Sequence, residues 1–195
     1  MFAKLARRSK PPRQIAVGAG GFRRLYRVRF VNFRVAVLAA LVPTASSAAQ
    51  DRPLAFPPIV RIVVDKSDRV MTLYSDDGTV HRIAGLQLGD EPVGPKRFEG
   101  DERTPEGQFT IDYGNPDSAY HLSLHIDYPR QSDHDFARAN GRSPGGLIFI
   151  HGQPNSLETG RIDGDWTDGC IAVSNAEIEA LWQSVPDGTP IEIRA

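Results

Sequence analysis

Cys170 is the only cysteine of the chain, and it lies between a polar turn and a short apolar segment. The sequence around it reads TDGCIAV (167–173), and the preceding Gly169 lets the backbone turn tightly and approach a ligand closely. A lone cysteine is most often a small buried hydrophobic residue. A cysteine that opens a strand after a polar turn is instead placed to act as a nucleophile, which requires a base nearby in space.

His151 is the best candidate for that base among the five histidines of the chain. It follows the apolar segment LIFI (147–150) and precedes Gly152, so it ends a buried strand where the backbone is unobstructed. Histidine near neutral pH can accept the thiol proton, and the resulting imidazolium lowers the thiol pKa. We therefore expect a low-pKa thiol at Cys170 that reacts with alkylating reagents and carbapenems faster than an ordinary cysteine.

Two further histidines lie in the alternating segment YHLSLHI (120–126), which predicts a strand. Period-two geometry places His121, Ser123 and His125 on one strand face. That face either lines the cleft and contacts substrate or is a solvated polar surface, and the sequence leaves both interpretations open. Histidines four residues apart on a strand are separated by about 13 Å, too far to share one metal ion. We expect no metal site and, without a phosphate-binding or dinucleotide fingerprint, no cofactor.

Short segments rich in β-branched residues must position these side chains. A glycine- and proline-rich stretch at 89–107 is typical of a loop. Two helices are predicted, one at 132–140 and one after Ser174, which forms a capping box with Glu177. The sequence predicts a mainly β fold, a single domain at 59–195 with one or two packed helices. The predicted strands are 59–65, 69–75, 79–88, 108–113, 120–126, 146–152, 170–173 and 190–194.

Four segments together resemble the L,D-transpeptidases of the YkuD family. They are IFIHG (148–152), TDGCIAV (167–173), RTPEGQFTI (103–111) and VDKSDRVMTLY (64–74), and the resemblance covers nearly all of 59–194. It implies a mainly β catalytic domain that attacks a peptide carbonyl of a peptidoglycan stem peptide and forms a thioester.

The resemblance also implies roles for individual residues of this chain. Cys170 corresponds to the nucleophile and His151 to the general base. Backbone N–H groups around Gly169 and Cys170, and Gly152 beside the histidine, correspond to the surroundings that stabilise the oxyanion. Candidate substrate contacts are His121, His125, Thr167 and Asp168.

Two positions depart from the family pattern. Asp168 replaces the usual histidine before Gly-Cys, and Ala172 replaces an arginine that engages a substrate carboxylate. Gly-Cys-x-Ala and HLSLHIDYP (121–129) resemble the YafK-like branch, which is associated with hydrolysis of a murein–lipoprotein amide. Three functions stay open: transpeptidation between stem peptides, hydrolysis as an amidase or carboxypeptidase with a murein-linked protein as a further partner, and non-catalytic binding to the envelope.

Charge divides the chain into two segments. Residues 1–50 contain ten basic and no acidic residues, whereas 51–195 carry the other 13 basic and all 24 acidic residues. The basic arm, the apolar run VAVLAALV (35–42) and the small residues that follow are typical of an export signal at 1–49. The run is shorter than the roughly 20 residues that span a bilayer, so we expect cleavage rather than a stable membrane anchor. Residues 50–58 would then be an extended lead-in to the domain, which we expect in the periplasm or cell envelope. The excess of acidic residues in this domain argues against nucleic-acid binding.

Overall fold

The computed structural model describes residues 54–195. The export segment predicted at 1–49 and the start of the lead-in lie outside these residues. Residues 54–58 contain neither helix nor strand and lead directly into the first strand. Within 54–195, no helix has both the length and the apolar composition that a membrane crossing requires.

Eight strands form one sheet in the order β3-β2-β1-β8-β4-β5-β6-β7. Two helices, α1 (Gln131–Ala139) and α2 (Asn175–Ser184), complete the fold. The predicted mainly β class with packed helices is therefore confirmed. The strands are β1 (Ile59–Asp65), β2 (Val70–Ser75), β3 (Val80–Ala84), β4 (Gly107–Asn115), β5 (Ser123–Ile126), β6 (Phe149–His151), β7 (Ile171–Ala172) and β8 (Thr189–Arg194).

The end of the sheet that carries β7 positions the candidate site. β6 pairs with β5 antiparallel and with β7 parallel, and His151 lies opposite Ala172 in that register. The chain that leaves β3 then covers the other side of β7, because Gln87 pairs with Ala172 and Gly89 with Thr167. The turn before Cys170 is consequently held between β6 and this covering segment.

The core forms where alternating apolar side chains of the strands meet the apolar side of α2. Ile62, Leu73 and Ile191 are fully buried on the sheet, and Ile178 and Leu181 are fully buried on α2. Burial of each such side chain stabilises the fold by about 1.5–3 kcal/mol relative to exposure.

The capping box predicted for α2 is confirmed. The Ser174 hydroxyl accepts a hydrogen bond from the Glu177 N–H, and the Ser174 N–H donates to the Glu177 carboxylate at 2.7 Å. The chain therefore leaves the β7 strand and enters the helix within three residues of Ala172.

Three predicted strands are shorter in the structure because the backbone turns inside them. The strand predicted at 79–88 ends at Ala84, since Gly85 has a φ of 72°. The strand predicted at 120–126 begins only at Ser123, since His121 has a φ of 67° and cannot continue a strand. The strand predicted at 146–152 is reduced to β6 because Leu147 has a φ of 56°. The prediction that His121 shares a strand face with His125 is therefore wrong.

Candidate active site

His151 is held in one tautomer at the end of β6. Its side chain is 3% exposed, and its Nδ1 lies 2.7 Å from the carbonyl oxygen of Gly152. A carbonyl can only accept, so Nδ1 carries the proton and Nε2 keeps a free lone pair. Burial lowers the pKa of His151, although the hydrogen bond to Gly152 opposes this shift. The imidazole is therefore neutral near pH 7 and presents a proton acceptor at Nε2.

Two aromatic rings fix the orientation of that imidazole. Tyr120 stacks on His151 with ring centroids 4.5 Å apart, and Trp166 approaches it edge-on at 5.6 Å. The two aromatic rings also contact each other at 5.7 Å. Both come from loops, one before β5 and one before Cys170, so the histidine depends on tertiary packing for its position.

The Cys170 thiol is hydrogen-bonded to backbone groups at and just before the start of β6. Its Sγ–H donates to the Leu147 carbonyl at 3.5 Å, and its Sγ accepts from the Phe149 N–H at 3.4 Å. Burial raises the pKa of the thiol to about 11, and the Phe149 hydrogen bond only partly offsets this. The low thiol pKa expected from the sequence is therefore wrong, because burial and the charge of Asp168 raise the pKa of the thiol and the sulfur is hydrogen-bonded to backbone groups, not to an imidazolium.

Cys170 and His151 line one open cavity of about 490 Å³. The predicted contact residues Thr167 and Asp168 line it too. The rest of the lining comes from the end of β4, the loop that follows it, the start of β5, the residues at the start of β6, and Trp166: Asn115, Asp117, Ser118, Ala119, Tyr120, Ser123, Gly146, Leu147, Ile148, Phe149 and Trp166.

The turn that presents Cys170 is stabilised by Thr167. Its hydroxyl donates to the Cys170 carbonyl at 2.8 Å and accepts from the Gly169 N–H at 3.2 Å. Gly169 has a φ of 123°, and a Cβ there would lie only 2.3 Å from the Arg103 carbonyl oxygen. No residue with a side chain fits this position, since both the backbone angle and the space exclude it.

A buried pair of glutamines fixes the loop between His151 and Cys170. Gln153 Nε2 donates to Gln87 Oε1 at 3.0 Å and to the Val173 carbonyl at 2.8 Å. Gln153 Oε1 accepts from the Ile162 N–H at 3.0 Å. Neither glutamine was predicted from the sequence. One available signal was that Gln153 directly follows the His-Gly pair at 151–152.

The two departures from the family pattern lie in different surroundings. Asp168 is exposed at the cavity. Partial burial raises the pKa of Glu102, and the negative charge of Asp168 adds to the effect. Ala172 is instead fully buried in β7 and hydrogen-bonded through its backbone to Gln87.

His121 and His125 do not contribute to the cavity lining. The Nε2 of His121 lies 2.7 Å from Glu179 on α2, and the Nδ1 of His125 lies 2.6 Å from Asp112. The N–H of Gly152 donates to the carbonyls of residues 120 and 122, so it is engaged in the fold. Within residues 54–195, no three His, Cys, Asp or Glu side chains cluster in a way that could hold a metal ion.

Comparison with known proteins gives a consistent result. The sequence profile of the YkuD family, the L,D-transpeptidase catalytic domain, matches residues 59–193. YafK from Escherichia coli strain K12, whose name assigns it provisionally to the L,D-transpeptidases, is 28% identical over 131 residues. That match covers 65% of this chain and 47% of YafK, so the chain spans about half the length of the curated relative. The crystal structure of Pgp2, a helical cell shape determining protein from Campylobacter jejuni, matches with 27% identity and a TM-score of 0.56, covering 74% of this chain and 51% of Pgp2.

The matched region contains β1 to β7, all but the last residue of β8, and both Cys170 and His151, which line the cavity. The resemblance inferred from the motifs around His151 and Cys170 is thus confirmed over the whole domain. The YkuD profile covers well over half of the sequence, and the chain belongs to the YkuD family of L,D-transpeptidase catalytic domains.

Proposed function

We propose that this protein transfers acyl groups of peptidoglycan stem peptides, with Cys170 as the nucleophile and His151 as the general base. The observation that carries the proposal is the His151 tautomer, because a buried neutral imidazole with a free Nε2 shares a cavity with a lone thiol. Family membership supports the substrate class, since L,D-transpeptidases act on cell-wall peptides.

The first half of the reaction begins with a rotation of the thiol. Cys170 leaves the Leu147 carbonyl and donates to His151 Nε2, which takes the proton as sulfur attacks the peptide carbonyl carbon. The N–H of Cys170 stabilises the oxyanion, and the N–H of Gly169 contributes only if it leaves the Thr167 hydroxyl to which it donates at 3.2 Å. Collapse breaks the C–N bond, the imidazolium returns the proton to the leaving amine, and a thioester remains on Cys170.

The second half of the reaction depends on the acceptor. An amine of a second stem peptide would give a cross-link, and water would give hydrolysis, as in an amidase or carboxypeptidase. The alanine at position 172 favours the hydrolytic alternative, because the family pattern has an arginine there that engages a substrate carboxylate. Both outcomes use the same cysteine and histidine, whereas a non-catalytic envelope-binding module would need neither.

We also propose that the activity lies in the cell envelope. This rests on the charge and hydropathy pattern of residues 1–49, with cleavage near residue 49 and a murein-linked protein as a further partner of the hydrolytic form. N-terminal sequencing of secreted material should begin near residue 50, and a start at residue 1 would contradict the export proposal.

The test of the chemistry is mass spectrometry of purified protein incubated with peptidoglycan tetrapeptides. We expect an acyl adduct on Cys170 and either cross-linked or shortened peptides. Cys170→Ala should abolish adduct and products. His151→Ala should lower turnover by about 10²–10⁴-fold, with partial recovery at high pH, where hydroxide ionises the thiol. Wild-type turnover by His151→Ala at neutral pH would refute the assignment of the base.

A further inference from the structure

Leu147 combines two unfavourable features directly beside the thiol. Its side chain is 72% exposed, and its backbone has a φ of 56°. An exposed leucine leaves apolar surface in water, and a left-handed backbone is disfavoured for any residue with a Cβ. Glycine would remove both disadvantages. Strained residues of this kind concentrate at functional sites, where the surrounding structure holds them in place.

The surrounding structure does hold Leu147 in place. The next residue, Ile148, is 2% exposed, and its carbonyl accepts from the Ile126 N–H at 2.9 Å. On the other side, the Pro144 carbonyl accepts from the Tyr128 hydroxyl at 3.1 Å. Leu147 is therefore exposed although hydrogen bonds hold the chain on both sides of it.

The position of Leu147 relative to the sulfur indicates what the side chain would meet. Its carbonyl oxygen lies 3.5 Å from Cys170 Sγ, and Leu147 lines the same cavity as the thiol and His151. A peptide whose carbonyl carbon is bonded to that sulfur must pass within about one residue length of Leu147. The side chain offers only aliphatic surface. Contact with an aliphatic group of the substrate would therefore stabilise the complex, whereas contact with a charged group would not.

Tyr120 is the other strongly exposed hydrophobic residue that lines this cavity, and its ring already stacks on His151. Leu147 makes no such stacking contact with His151, so its exposure is not explained by positioning of the base. Val93 is a suitable comparison, because it is an aliphatic residue with 81% exposure that lines a different surface depression beside Lys66.

We propose that Leu147 is a specificity-determining residue that packs against a small aliphatic side chain of the acyl-donor peptide next to the bond that Cys170 attacks. This inference rests on the proposed function, because it assigns the donor contact of that same site. Binding of the donor would bury the exposed leucine and add to the free energy of donor binding.

A double-mutant cycle tests the contact. The donors are a peptidoglycan tetrapeptide and versions in which one alanine at a time is replaced by glycine. Leu147→Ala should lower kcat/KM for the parent donor about tenfold, mainly through KM, and should have a much smaller effect on one glycine donor. Leu147→Gly should behave like Leu147→Ala although it relieves the backbone strain. Val93→Ala, the matched control, should act like wild type.

Binding to the inactive Cys170→Ala protein separates this inference from the proposed function. Calorimetry should show a Kd for the parent donor that rises about tenfold when Leu147→Ala is added. Leu147-dependent binding without turnover by the wild type would reject the proposed function and keep the contact. If the wild type turns over and Leu147→Ala lowers kcat/KM equally for all donors, or for none, the proposed contact is overturned and the proposed function stands. If no donor binds the Cys170→Ala protein and the wild type does not turn over, both the contact and the proposed function are overturned.

Discussion

The pH dependence of Cys170 alkylation tests the resting arrangement of the site most directly. Burial raises the pKa of this thiol from 9.0 to about 11. Alkylating reagents attack the thiolate, so the rate follows the ionised fraction. Because each pKa unit is a factor of ten, the thiolate fraction at pH 7 should be about 100-fold below that of an unburied cysteine.

The assay is intact-mass measurement of iodoacetamide labelling between pH 6 and pH 10. The logarithm of the rate should rise by about one per pH unit over this range, and unfolded protein should label about 100-fold faster at pH 7. Cys170→Ser should not label. His151→Ala should keep the wild-type profile, since the resting thiol bonds to the Leu147 carbonyl and the Phe149 N–H. A plateau near neutral pH that disappears in His151→Ala would instead reveal a resting thiolate–imidazolium pair and refute the reasoning.

The same raised pKa predicts a loss of stability at alkaline pH. The folded state favours the neutral thiol, so its contribution is fully present below pH 9 and is lost as pH rises towards 11. A pKa difference of this size corresponds to about 3 kcal/mol. In urea denaturation, Cys170→Ala should lose less stability than wild type between pH 8 and 10.5. Equal losses in the two proteins would contradict burial of the thiol.

Substitutions at three positions test the supports of the site. Thr167→Val should lower turnover about tenfold and stability by about 1 kcal/mol, because the hydroxyl bridge to Cys170 is lost, while Thr167→Ser should retain both. Gln153→Leu should lower the free energy of unfolding by about 1–3 kcal/mol by leaving buried polar groups unpaired; a change below about 0.5 kcal/mol in urea titration would show that the glutamine pair does not hold the loop. Ala172→Arg should lower the melting temperature sharply, since a charged side chain would enter a fully buried position, and a wild-type melting curve would show that the site has room.

The sequence by itself determined the features that depend on local residue patterns. Alternating β-branched residues specified most of the strands, and the Ser174–Glu177 pair specified the start of α2, because both signals lie within a few consecutive residues. The resemblance of four segments, including those around His151 and Cys170, to the YkuD family was sufficient to predict the family and hence the fold.

Only the tertiary structure decided the chemical state of the site. His151 received its tautomer from Gly152 and its packing from Tyr120, which comes from a distant loop. His121 turns away to an acidic residue on α2, and the Cys170 thiol bonds to the backbone of β6. Apart from the bond between His151 and Gly152, these contacts join residues that lie far apart in the chain. Their energies depend on burial and direction, which no local pattern of residue types records.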